Sequence, residues 1–229
     1  MAPAIAAADI DTMTAKETIK VLIADDHAIV REGLKQILAD TGDIVVAGDT
    51  ETGGEAIKLA RKRKCDVLLL DISMPDRNGI EILKQARKEF PKLAILMLSM
   101  HREDQYAIRS LKAGASGYLN KQSAPDELVN AIRQVAAGRK YVSPALAQEL
   151  ANQVSEDHEA MPHESLSDRE YQTLIMIASG KTVSEIAAAL TLSVKTVSMY
   201  RSRLLQKMKL RHNAELTHYA IKNHLVEEQ

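Results

Sequence analysis

The chain has one cysteine, Cys65, so no disulfide can form within it. That thiol follows the basic run Arg61 to Lys64 and precedes an apolar run, and it reads as a structural thiol. No apolar run approaches the ~20 residues that a membrane helix requires. The opening MAPAIAAADIDTMTAKETI lacks the basic start of a secretory signal and carries Asp9 and Asp11, so residues 1–19 read as a disordered tail. Net charge is nearly absent too, at -1. Hydrophobic residues at 45% and charged residues at 27% exclude a disordered, collagen-like or disulfide-scaffold chain. With 229 residues there is room for two domains.

The near-zero charge is unevenly spread. Glu149, Glu156, Asp157, Glu159 and Glu164 form an acidic stretch without Lys or Arg. Lys195 to Arg211 holds Lys195, Arg201, Arg203, Lys207, Lys209 and Arg211 and no acid. Such a segment is either a contact for a polyanion or a solvated helix face.

From residue 20 short apolar runs alternate with helical stripes. VLIA (21–24), IVVAG (44–48), VLLL (67–70), AILML (94–98) and GYLNK (117–121) read as strands, the most apolar of them buried on both faces of a parallel sheet. Leu34, Ile37 and Leu38, then Leu83, Ala86 and Phe90, then Leu128, Ile132 and Val135 mark intervening helices, with a shorter one over 104–113. Five such repeats predict an α/β sheet with helices on both faces over 20–140. Residues 141–163 read as an acidic linker with a short helix after Pro144. Residues 164–229 are helical throughout: Ser167 with Glu170 and Thr182 with Glu185 are capping boxes, and Ser193 and Asn213 are candidate N-caps. About four helices result.

The polar residues that interrupt the strands stand at their carboxyl ends, where open α/β sheets hold ligands. They are Asp25 and Asp26, Asp71, Ser99 and Lys121. Three carboxylates together repel, and a hard divalent cation such as Mg²⁺ resolves the repulsion. One carboxylate can attack a phosphoryl donor, with the metal, a Lys and a hydroxyl sharing the charge on the transferred oxygens.

VLIADDHAIVREGL, LLLDISMPDRNGIEIL and LSMHREDQYAIRSLKAGASGYLNK closely resemble the receiver domain of two-component response regulators. The resemblance implies a flavodoxin-like (βα)5 fold. It makes Asp71 the phosphoacceptor, and it makes Asp25, Asp26, Asp71 and the Ser73 backbone carbonyl the Mg²⁺ ligands. Ser99 becomes the hydroxyl that senses the phosphate, Tyr118 the aromatic switch and Lys121 the salt-bridge lysine. Ser99 moving inward would let Tyr118 fill the vacated space, and the signal would leave through the helix over 103–111. His101 reads either as a group lining the phosphate or as a plain surface histidine.

Over 164–229, LSDREYQTLIMIASGKTVSEIAAALTLSVKTVSMYRSRLLQKMKL resembles the four-helix LuxR-type DNA-binding domain. Thr182 to Leu190, a TLS turn and Val194 to Met208 form a helix-turn-helix candidate. Val197, Tyr200, Leu204 and Met208 give its second helix an inner face, leaving Lys195, Ser198, Met199 and Ser202 outward, with Thr196, Arg201, Arg203 and Lys207 around them. Ser198 and Tyr200 stand where many relatives carry Lys and His, so their DNA sequence does not carry over. The last helix, carrying Leu216, Tyr219 and Ala220, matches the family's dimer contact and could equally pack the bundle.

The whole therefore resembles a response regulator of the NarL/FixJ class. The resemblance implies a cytoplasmic, phosphorylation-controlled transcription regulator rather than an enzyme. It would take a phosphoryl group from a histidine kinase, bind double-stranded promoter DNA as a homodimer and meet RNA polymerase there, with no membrane partner. Residues 156–159 could sit on the basic face of the recognition helix as an autoinhibitor. Two rivals are weaker. A phosphohydrolase with an aspartyl-phosphate intermediate would need an Asp where Ser73 stands, and a receiver that is never phosphorylated would not need the complete acidic set.

Overall fold

A computed structural model describes residues 18–74, 77–100, 105–155 and 161–226. The strands β1 (Ile19–Ala24), β2 (Ile44–Thr50), β3 (Val67–Asp71), β4 (Ala94–Ser99) and β5 (Gly117–Asn120) form one sheet in the order β2-β1-β3-β4-β5. Every pairing is parallel. This is the doubly wound order of the flavodoxin-like fold, with the switch point between β1 and β3. All of β3 and β4 is buried, as their unbroken apolar sequence requires.

The helices between strands are α1 (Ala28–Ala39), α2 (Gly53–Lys62), α3 (Gly79–Glu89), α4 (Gln105–Lys112) and α5 (Pro125–Ala136). One apolar layer, with Leu34, Leu38, Leu128 and Ile132, covers one face of the sheet. The other, with Ile57, Ile80, Leu83 and Ile108, covers the opposite face. Cys65 packs partly buried at the edge of that second layer, and burial pushes its thiol up from the ordinary range. That fits a structural thiol, because a raised pKa suppresses the reactive thiolate.

Beyond the sheet come α6 (Pro144–Ser155), a 3₁₀ turn (Pro162–Ser165), α7 (Asp168–Ala178), α8 (Val183–Ala189), α9 (Val194–Met208) and α10 (Asn213–Lys222). Both capping boxes form: the Ser167 and Thr182 side chains accept from the amides of Glu170 and Glu185, whose carboxylates return the contact. Ser193 caps α9 by accepting from the Thr196 amide. Asn213 differs from expectation. His212 occupies the N-cap of α10, and Asn213 is the first helical residue. The Asn213 Oδ1 instead accepts from Arg201 Nε at 2.6 Å, so a bond between helices takes the group that would have served the cap. Among the described residues no helix is long and apolar enough to cross a membrane.

Candidate functional site

The parallel register delivers the polar strand ends to one edge. Asp71 closes β3, Asp25 and Asp26 follow β1, Ser99 ends β4 beside Asn120, and Lys121 follows β5. The Lys121 amide donates to the Ser99 carbonyl at 2.8 Å, which fixes the lysine over the cleft. Its Nζ lies 2.6 Å from Asp25 Oδ2 and 3.0 Å from Asp71 Oδ2. Asp25 and Asp71 are both buried, and Asp71 Oδ1 has no hydrogen-bond partner among the described residues. Burial pushes the Asp71 carboxyl up to about 6; the Lys121 cation draws it down and the Asp25 carboxylate pushes it further up.

The loop after Asp71 holds its shape through close backbone packing. A Cβ on Gly79 would stand 2.1 Å from the Asp71 carbonyl oxygen and 2.7 Å from the Ile72 Cα, so only glycine lets α3 start there. The Gly79 amide donates to the Ile72 carbonyl at 2.9 Å. Asn78 caps α3 by accepting from the Ile80 amide at 2.8 Å, and Met74 is fully buried. The spacing D-x-x-M-P-x-x-x-G thus has a packing cause at each fixed end.

Asp25, Asp26, His27 and Asp71 each present a ligand atom within 4.8 Å of the others. Sequence reasoning found the three carboxylates and missed His27, whose Nδ1 lies 2.7 Å from Asp26 Oδ1 and 3.3 Å from Asp25 Oδ1. Its signal was its place directly after the acidic pair. Ser73 lies in the loop just beyond Asp71. Ser99 and Tyr118 are both fully buried. Tyr118 therefore already lies inside the protein, so the motion expected of it would not be an inward swing from solvent. His101 and the start of the helix expected at 103–111 lie outside the described residues; its described part is α4.

In the last helices, Val197, Leu204 and Met208 bury the inner face of α9, and Tyr200 is half-buried. Lys195, Ser198, Met199, Ser202 and Arg203 are exposed together, with Thr196 beside them. Two residues expected on this surface have partners inside the chain. Arg201 donates to Asn213, and Lys207 Nζ lies 2.6 Å from Glu170 Oε2. The exposed face is polar, with Lys195 and Arg203 as its cations, and it has the shape and charge to enter a major groove. The acids at 156–159 lie outside the described residues.

A contact that the sequence did not reveal joins α3 and α4 to α7. Arg109 on α4 is nearly buried. Its guanidinium donates to the Leu166 carbonyl at 2.8 Å and the His163 carbonyl at 2.6 Å, and lies 4.3 Å from the Tyr171 ring centroid. Tyr106 meets Tyr171 edge-to-face at 4.9 Å. Lys84 pairs with Asp168 at 2.7 Å, and Asn78 Nδ2 donates to Gln172 Oε1 at 3.3 Å. His163 is buried behind the clamp, its Nδ1 2.8 Å from the Tyr219 hydroxyl, and burial holds the imidazole below its ordinary pKa. The contact runs from the loop after Asp71, through Asn78, to the first helix of the C-terminal bundle.

Comparison with known proteins agrees with this geometry. A family model described as the response regulator receiver domain matches residues 21–133. One described as bacterial regulatory proteins, luxR family, matches residues 164–220. The chain is 40% identical over 208 residues to response regulator UvrY of Escherichia coli, covering 90% of this chain and 95% of that one. It is 39% identical over 211 residues to response regulator GacA of Pseudomonas aeruginosa, covering 91% and 98%. Among solved structures it is similar to RcsB of Salmonella enterica bound to a promoter in the presence of phosphomimetic BeF3-. That match has a TM-score of 0.63 and 29% identity, over 89% of this chain and 98% of RcsB.

Proposed function

The chain belongs to the response regulators of the NarL/FixJ class, and from that membership we propose that it takes a phosphoryl group on Asp71 and converts it into control of promoter binding. The observation that carries this reading is the Asp71 carboxylate itself: buried, with a bare Oδ1, between two acids and the Lys121 ammonium.

The donor is a histidine kinase, as the receiver domain implies. An Asp71 oxygen attacks the donor's phosphorus, a P–O bond forms, and the donor keeps the electrons of the bond that breaks. Lys121 stays beside Asp71 as a fixed cation for the transferred oxygens, and Ser99 supplies a hydroxyl at the neighbouring strand end. Mg²⁺ fits the donor set, which is three carboxylates with one buried oxygen unpartnered. Asp25, Asp26, Asp71 and the Ser73 carbonyl would hold it, and when bound it supplies positive charge for the phosphoryl oxygens. The chain turns over no external substrate; its chemistry is gain and loss of the phosphoryl group at Asp71.

The output is promoter DNA. RcsB, similar along most of this chain, has been solved on promoter DNA and as two dimers bound to two DNAs. Here Lys195 and Arg203 would meet phosphates, and Ser198, Met199 and Ser202 base edges. Phosphorylation favours a homodimer that reads an inverted repeat in the cytoplasm, where RNA polymerase is the next contact.

Selecting genomic fragments with purified protein in Mg²⁺, with and without a small-molecule phosphodonor, tests the reading. A shared inverted repeat enriched more strongly with the donor is expected. Equal enrichment in both, or none, would contradict it. A sharper consequence concerns Ser99→Ala. Phosphoryl labelling of Asp71 is expected to stay near wild type while the donor-dependent gain in DNA affinity is largely lost. A variant with full gain would remove Ser99 from the output path.

A further inference from the structure

We propose that His27 is a ligand that fits the acidic site to a first-row transition-metal ion as well as to Mg²⁺; the inference rests on the reading of that site as a metal centre. His27 is the last residue before α1, and its amide donates to Asp25 Oδ1 at 2.9 Å. That bond ties the backbone of His27 to the acid two residues before it. The ring is exposed, with 60% of its side chain open to solvent. It nevertheless places Nδ1 2.7 Å from Asp26 Oδ1 and 3.3 Å from Asp25 Oδ1. One atom each from Asp25, Asp26, His27 and Asp71 then falls within a 4.8 Å cluster. Asp71 Oδ1, buried, has neither a hydrogen-bond nor an ion-pair partner among the described residues, whereas Asp25 Oδ2, Asp26 Oδ1 and Asp71 Oδ2 lack hydrogen bonds but are ion-paired.

The chemistry of the set decides which ions it favours. Mg²⁺ is a hard ion that takes oxygen, and an imidazole adds little to its binding. A borderline ion such as Co²⁺ or Ni²⁺ gains from a nitrogen donor and binds most N/O sites more tightly along the first-row series. Three carboxylate oxygens alone would serve Mg²⁺, Mn²⁺ and Ca²⁺. Three oxygens with one imidazole shift the preference toward transition ions.

The experiment is calorimetric titration of the full chain at one fixed pH, with Co²⁺ alone and with Mg²⁺ alone. It compares wild type with His27→Ala, His27→Asn and the double variant Asp26→Asn with Asp71→Asn. Both His27 variants are expected to lower the ratio of Co²⁺ to Mg²⁺ affinity about tenfold or more. In Mn²⁺-loaded wild type, pulsed electron paramagnetic resonance is expected to show a coupled nitrogen that His27→Ala removes. An unchanged affinity ratio, or a nitrogen coupling that survives His27→Ala, would overturn the assignment of His27. The double variant separates this from the underlying reading. Loss of both ions there keeps the acidic site as the metal centre whatever His27 does, and retention of both would overturn the site and the ligand together.

Discussion

Replacing Asp71 by Asn is expected to abolish phosphoryl labelling and, in metal-free buffer, to make the protein more stable at pH 7.5. Both effects come from the same buried carboxyl. The fold pushes it from its ordinary 3.8 to about 6, chiefly through burial. A raised carboxyl pKa means that the folded state holds the proton more tightly than the unfolded chain does. Stability is therefore greatest below the unfolded value and is lost as pH rises through about 6. Above that pH the ionised group costs the fold about 3 kcal/mol. Asn cannot ionise, so the variant keeps that stability. Its thermal midpoint at pH 7.5 should exceed wild type by several degrees, and the difference should shrink toward pH 4. A variant no more stable than wild type at pH 7.5 would mean that the Asp71 site is far better solvated than its burial implies. Such a gain on removing a charged residue marks a group kept for chemistry rather than for stability.

The second large effect is expected at the contact between the sheet and the C-terminal helices. Arg109→Ala removes two charged donors from the His163 and Leu166 carbonyls and the cation from the Tyr171 ring. Hydrogen bonds to charged groups contribute about 1.5–3 kcal/mol each, and the ring contact about 1 kcal/mol more. The other polar contacts of side chains with charge or ring edges are individually weaker. Lys84 is largely exposed, so its pair with Asp168 contributes at most about 1 kcal/mol, and the Tyr106–Tyr171 edge contact contributes a similar amount. Arg109 is therefore the largest single polar contributor to the contact, beside the Asn78–Gln172 hydrogen bond and the buried apolar packing of Tyr106, Leu166 and Tyr171. Loss of Arg109 should shift the balance between joined and separated units about a thousandfold or more. X-ray scattering should show a larger radius of gyration, and amides of α7 should exchange faster. Arg109→Lys should behave much like the Ala variant, because an ammonium cannot hold both carbonyls and cover the ring. Affinity for a single DNA half-site should stay within about twofold, since Lys195, Ser198, Met199, Ser202 and Arg203 are already exposed while the contact is closed. Unchanged scattering would show that something other than Arg109 holds the units together.

The strands were legible because runs such as VLLL and AILML are buried along their whole length, and no other short element has that pattern. The helix starts were legible where a cap is local. Ser167, Thr182 and Ser193 each satisfy an amide three residues ahead, so the signal lies within one turn of chain. Asn213 misled for the opposite reason, because its oxygen serves Arg201, twelve residues away. The acidic cleft was legible because the parallel sheet brings every strand end to one edge, which makes position along the chain a guide to position in space.

Long-range partners were not legible. Nothing in the local pattern around Arg109 shows that it closes on carbonyls more than fifty residues ahead. Lys207 looked like one more cation of the basic segment until Glu170, 37 residues earlier, proved to face it. A histidine beginning a helix has many ordinary uses, so the sequence around His27 does not by itself mark a ligand. Only the distances to Asp25 and Asp26 separate it from them.

The most direct test of the central claim is the affinity of the full chain for a selected promoter fragment in Mg²⁺, measured with and without phosphodonor in wild type and in Asp71→Asn. The account predicts a gain of about tenfold or more for wild type with donor, within the usual range of coupling between two sites, and no gain for the variant. An equal gain in both proteins, or none in wild type, would contradict it.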